Sequence, residues 1–256
     1  MEEYKRRFAE ILARTGALFF AENLRLKDGR PTPYFVNMGK FRSGRLNFEL
    51  GSLFADMLLQ RELIQRVDVI VGPSYKGSAI ANATVNALWI QRGLDVLFDY
   101  DRKEAKTHGD SSGMKNMFVN GCLEENRRLF IVDDVGTSMA TKYELLEKID
   151  AQAQSRGIEL KIIGVGLAVD REQTSAVYDQ DGAVELNKAG SDAIGQFQSD
   201  TGVPVYSLCA IRETIEYLYR ERIPVLINGS YSPIDDDTKS TFEEYIRVYG
   251  AQRSAV

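Results

Sequence analysis

A chain of 256 residues is long enough for one large α/β domain or two small ones, and 44% hydrophobic with 27% charged residues is ordinary for a soluble globular protein. A net charge of −5 argues against a general nucleic-acid binder, two cysteines make neither a disulfide framework nor a metal spacing, and a single histidine excludes a His-rich zinc site. No run approaches the apolar length of a membrane span and Met-Glu-Glu-Tyr-Lys is no signal peptide, so a cytoplasmic protein without membrane or nucleic-acid partners is expected.

Residues 2–15 read as an amphipathic helix with Phe8, Ile11 and Leu12 on one face. An extended segment follows and closes in an Asp28-Gly29 turn, with Lys27 at its tip, before a second strand runs from Pro31 to Asn37. Lys27 alone has the usual reading of a lone lysine, a solvated turn residue. Residues 45–64 repeat apolar Leu50, Leu53, Phe54, Met57 and Leu58 at helical spacing. A short apolar strand, 67–71, then ends in Gly72-Pro73-Ser74-Tyr75-Lys76-Gly77, and a helix runs to about Gln91. Residues 95–100 make a third core strand. The polar stretch after it holds Arg102, Lys103, Lys106 and His108, with Gly109 and Gly113 as possible hinges. It is either a solvated loop or a cationic lid that closes on a polyanion.

Leu129 to Val132 reads as a buried parallel strand stopping at two carboxylates, Asp133 and Asp134. Gly136-Thr137-Ser138 follows, and then a helix with Leu145, Leu146 and Ile149. Free N–H groups at a helix start, with the hydroxyls of Thr137, Ser138 and Thr141, suit a phosphate. The carboxylates do not, since like charges repel; they suit ribose hydroxyls or hydrated magnesium. An ordinary βα turn with a solvated acidic pair is the plain alternative. Leu160 to Val169 is a further strand ending in Asp170-Arg171, where an arginine suits a bidentate carboxylate or an ion pair with a neighbour. Residues 172–190 read as loop or hairpin, 191–201 as helix, 203–208 as strand and 211–221 as helix. A turn-rich tail, 223–233, leads through Asp235-Asp236-Asp237 to a last helix, 238–249. Alternating strands and helices give an α/β fold, doubly wound, with a mostly parallel sheet flanked by helices.

Four stretches carry a resemblance to the orotate phosphoribosyltransferases: 129–141, Arg102 to Gly109, Gly72 to Gly77, and Leu26 to Phe35. The resemblance spans about residues 4–222. It implies a single phosphoribosyltransferase domain: a small N-terminal helix/strand subdomain, 1–44, that binds the base, an α/β core, 45–222, and a C-terminal extension, 223–256. It implies transfer of a phosphoribosyl group from phosphoribosyl pyrophosphate (PRPP) to orotate, with Mg2+ carried by PRPP and water rather than by direct protein ligands. Lys27, Tyr75, Lys76, Arg102, Lys103, Lys106, His108, Asp133 and Asp134 would contact PRPP, and Val135, Gly136, Thr137, Ser138, Met139, Ala140 and Thr141 would wrap its 5′-phosphate. Lys27, Phe35, Val36, Thr137 and Arg171 would contact orotate, and Lys103, His108 and Asp134 would serve catalysis. A homodimer with shared active sites is implied, because the family's loop crosses to the neighbouring subunit. Two rival expectations are a phosphoribosyltransferase for another base and a non-catalytic regulator that senses PRPP. One departure stands out. The family's Thr-Ala-Gly-Thr is Thr137-Ser138-Met139-Ala140 here, so Met139 is expected in a backbone conformation open to non-glycine residues.

Overall fold

The computed structural model describes residues 1–103, 117–136 and 138–252. Its apolar runs become a parallel sheet. Among the described residues β3 (Val69–Gly72), β4 (Leu97–Tyr100), β5 (Arg128–Gly136), β6 (Lys161–Asp170) and β7 (Val205–Ala210) pair in the order β4-β3-β5-β6-β7, all parallel. β3 is buried along its whole length, as a strand covered on both faces must be. In β5, Phe130 and Val132 face one core while Leu129 and Ile131 face the other. The first core is filled by α1 (Glu3–Arg14), α2 (Gly44–Gln60), α3 (Lys76–Arg92) and α6 (Ile211–Arg220); the second by α4 (Ala140–Arg156) and α5 (Ala193–Thr201). The chain steps from β4 back across β3 to β5. The carboxyl ends of β3 and β5 therefore flank a topological switch point, where open α/β sheets place ligands.

A second, smaller sheet explains both ends of the chain. β1 (Leu18–Phe20) and β2 (Tyr34–Val36) form the expected antiparallel pair. The tail expected to be turn-rich is instead a hairpin, β8 (Val225–Ile227) and β9 (Ser230–Ser232), and β8 pairs in parallel with β1. Asn228 and Gly229 both take positive φ, 47° and 85°, as the tightest hairpin turn requires. α7 (Asp236–Tyr249) follows. Asp235, exposed at its start, caps it by accepting from Thr238 N at 2.8 Å. α7 lays Phe242 and Tyr245 against Tyr34 of β2, at ring separations of 5.4 and 5.9 Å. Residues 172–190 hold one hairpin-like bridge, Tyr178 to Val184.

Candidate active site

The central strand does not stop at its acids. β5 continues through Asp133 and Asp134 to Gly136, in register with β6 as far as Asp170. Burying Asp133 is possible because Lys142, early in α4, pairs with its carboxylate and also donates to Val135 O at 3.1 Å. Neighbours on a strand point to opposite faces, so Asp134 lies half-buried on the other side. The two acids are not equivalent. Asp133 is engaged inside the chain, whereas Asp134 faces the loops. Burial, then the negative Asp133, push the Asp134 carboxyl above the usual carboxylate range, against the pull of Lys142 and Lys76.

Beyond Gly136 the chain turns into α4 through Met139, with φ 58° and ψ 4°. This is the left-handed region, so Met139 adopts the conformation natural to glycine rather than one open to other residues. Burial compensates. Its side chain is 2% exposed within the second core, and its sulfur would lie 3.4 Å from a Cβ placed on Gly136. Ser138, Ala140 and Thr141 are exposed at the start of α4, where unsatisfied N–H groups favour an anion.

The loop after β3 is drawn close by two glycines. A Cβ on Gly72 would meet Gly77 O at 2.0 Å, and one on Gly77 would meet Val132 O at 2.8 Å. α3 thus begins against β5, and Lys76, its exposed first residue, faces Asp134 closely enough to offset a little of that rise. The Ser74–Tyr75 peptide is cis and Tyr75 is 75% exposed. Asp101, just past β4, accepts from Ser74 N at 2.6 Å and pairs with Lys148 of α4. Lys103 extends its ammonium over the Tyr75 ring at 4.9 Å. Arg102 N donates to Met117 O at 2.8 Å, so the roots of the cationic segment meet. Asp99 fixes the returning root, accepting from Val119 N, Asn120 N and Cys122 N at 2.9–3.1 Å. Lys106, His108, Gly109, Gly113 and Thr137 lie outside the described residues.

At the end of β6, Arg171 is 7% exposed, and its Nε and Nη2 have no hydrogen-bond partner among the described residues. Its guanidinium lies over the Tyr34 ring, 5.1 Å from the centroid. Phe35 is half-buried beside Phe19 at 5.8 Å, while Val36 is buried in the first core and offers a ligand its backbone at most. Lys27 is exposed on its turn. That turn is clipped down by Arg30, whose buried guanidinium holds Asp28 at 2.8 Å and Thr174 O at 2.9 Å. A groove of about 750 Å³ between residues 20–33 and α7 carries none of the expected site residues. The structure thus gathers Tyr75, Lys76, Lys103 and Asp134 at one end and joins Arg171 to β2 at the other. Lys142, Lys148, Asp99, Asp101, Arg30 and Tyr34 support them. Sequence reasoning named none of these as site residues, since each acts on a partner distant in the chain or hidden by a strand's alternation.

A family described as phosphoribosyl transferase domain matches residues 46–192. An orotate phosphoribosyltransferase of Bifidobacterium adolescentis is 31% identical over 250 residues, 96% of this chain and 97% of its own. One from Clostridium acetobutylicum is 30% identical over 252 residues, covering 98% and 100%. The crystal structure of orotate phosphoribosyltransferase from Francisella tularensis matches with a TM-score of 0.72 at 25% identity, covering 96% of this chain and 100% of that one. With a loop of this kind at the switch point, and relatives along nearly its whole length, the chain belongs to the orotate phosphoribosyltransferase family of phosphoribosyl transferases.

Proposed function

We propose that this chain transfers the 5-phosphoribosyl group of PRPP to N1 of orotate, giving orotidine 5′-phosphate and pyrophosphate in pyrimidine nucleotide synthesis. Arg171 carries the reading. A buried guanidinium with two unbonded nitrogens beside β2 suits a base bearing a carboxylate, which orotate has and hypoxanthine and adenine lack. The relatives' names point the same way.

In this reading the anionic N1 of orotate forms a bond to the anomeric carbon while the bond to pyrophosphate breaks, its electron pair leaving on the pyrophosphate oxygen. Positive charge gathers on the ribose, as in glycoside cleavage. The protein supplies position and charge rather than a nucleophile. Lys76 and Lys103 neutralise the departing pyrophosphate, and Lys27, Tyr75 and Arg102 hold it. Lys106 and His108 are assigned to the same task by resemblance, His108 as the group that hydrogen-bonds or protonates a pyrophosphate oxygen. Asp134 takes the ribose hydroxyls, with Asp133 behind it, and the turn from Val135 to Thr141 wraps the 5′-phosphate. Phe35, the Val36 backbone and Thr137 line the base. Among the described residues no three His, Cys, Asp or Glu side chains gather as a metal cage. The half-buried carboxylate of Asp134 would hold magnesium through its waters, the ion itself being carried by the diphosphate. Bound there, it would add positive charge beside the diphosphate.

A homodimer is part of the proposal. Trp89 and Ile90 of α3 and Leu97 of edge strand β4 are 59%, 67% and 40% exposed, apolar side chains suited to a second copy. No described helix is long and apolar enough to cross a membrane, and a cytoplasmic location is proposed.

The test is loss of orotate absorbance with PRPP and magnesium, set against uracil, hypoxanthine and adenine. Orotate alone should turn over. Turnover of a purine instead, or PRPP binding without turnover of any base, overturns the reading. Arg171→Ala should raise the KM for orotate by the equivalent of about 2–3 kcal/mol, the scale of charged hydrogen bonds, and leave the KM for PRPP unchanged.

A further inference from the structure

The plane of the Arg171 guanidinium is not held by hydrogen bonds at Nε or Nη2 from any described residue. Its Nε and Nη2 are buried and unbonded among the described residues, yet a carboxylate is recognised by a guanidinium whose plane is fixed. What does touch it is the face of Tyr34, 5.1 Å from Cζ to centroid. Tyr34 is fully buried and is gripped from behind by α7, through the edges of Phe242 at 5.4 Å and 69° and of Tyr245 at 5.9 Å and 85°. The residues after Arg171 are tied to the same helix. Thr174 N and its hydroxyl donate to Tyr249 O at 2.8 and 3.0 Å, and Ala251 N donates to Glu172 O at 2.8 Å. Gln173 and Gly250 form a bridge between them.

We infer that Tyr34, braced by α7, is the positioning residue for Arg171, so that the far C-terminal helix sets selectivity for a carboxylated base. This rests on the proposed role of Arg171 toward orotate. The ring fixes the guanidinium plane by cation–π contact, leaving its hydrogen-bonding edge for the ligand. α7 does not touch the reaction; it keeps the ring from turning away.

The experiment is a double-mutant cycle read as KM for orotate, KM for PRPP and kcat. Tyr34→Leu should raise the KM for orotate about tenfold, the range of a desolvated cation–π contact, with the KM for PRPP unmoved. Tyr34→Phe keeps the face and should stay near wild type. In an Arg171→Ala background Tyr34→Leu should cost nothing further, because its effect runs through the missing guanidinium. Should Tyr34→Leu fail to fold, Phe242→Leu takes its place, with a smaller rise in orotate KM that also vanishes without Arg171. Additive losses, or equal damage to both KM values, overturn the positioning role. If instead Arg171→Ala binds orotate as well as wild type, the assignment of the carboxylate to Arg171 fails, separately from the cycle.

Discussion

Met139 sits where two demands conflict. The turn into α4 needs a left-handed residue, and a side chain there costs about 1 kcal/mol relative to glycine. The same side chain is buried against Gly136 in the second core, and deleting a buried methionine side chain costs about 2–5 kcal/mol. Burial wins by magnitude. Met139→Gly should therefore lower stability in urea by about 1–4 kcal/mol, the difference of these two effects, while the turn keeps its path. kcat and the KM for PRPP should stay within a few-fold. Loss of PRPP binding in a folded Met139→Gly protein would mean that the methionine shapes the phosphate turn itself. Asp133 shows another reconciliation, a buried acid paired with Lys142, and that pairing lets the strand run on past its last apolar residue.

Elements in this chain were legible in proportion to how local their causes are. β3 and the apolar part of β5 announce themselves because covered parallel strands must be continuously apolar. α2 shows its face by spacing alone. The β8–β9 hairpin did carry its signal, Asn228-Gly229, but its three-residue strands are too short for a pattern and its partner, β1, lies some two hundred residues earlier. At the site, Lys76, Asp134 and Arg171 were readable as charges at strand ends, whereas Lys142 and Tyr34 were not, since nothing local ties them to their partners. Asp68 is a case that chemistry makes testable. Arg128 grips it with a two-pronged fork, Nε at 2.9 Å and Nη2 at 2.8 Å, locking the entry of β3 to that of β5. Hydrogen bonds from Arg128 hold the Asp68 carboxyl down to about 2. A depressed carboxylate stabilises the fold fully above its unfolded pKa of about 4 and loses that contribution as pH falls through its folded value. Asp68→Asn should thus lower the urea midpoint at pH 7, modestly because Arg128 is 39% exposed and solvent screens the pair. The gap between variant and wild type should close as the pH is taken from about 4 to about 2. A gap that stays constant across that window would show that the fork contributes through packing rather than charge.

At the scale of the whole molecule, the question is which copy of the chain supplies which part of the site. Lys103 lies over the ring of its own Tyr75, and that loop delivers Lys76 to its own Asp134. Lys103 is therefore expected to serve the site of its own chain. The family resemblance implies that the cationic loop as a whole reaches the neighbour; with Lys103 held at home, Lys106, three residues on, is the lysine left to cross. An isologous dimer repeats the arrangement twice, giving two sites that each draw on both copies. Two mixing experiments separate these assignments. Take Lys106→Ala and Asp134→Asn proteins, each nearly inactive alone, and let their subunits exchange. If Lys106 crosses, a hybrid dimer holds one site with both lesions and one with neither. Random pairing makes about half the dimers hybrid, so about a quarter of wild-type activity should return. Repeat with Lys103→Ala in place of Lys106→Ala. Because Lys103 and Asp134 belong to one site, every site in the hybrid keeps a lesion and nothing should return. Recovery in neither mixture, with exchange verified by mass, would confine the whole site to one chain. Recovery with Lys103→Ala would mean that its contact with Tyr75 is released in the dimer and that Lys103 also crosses.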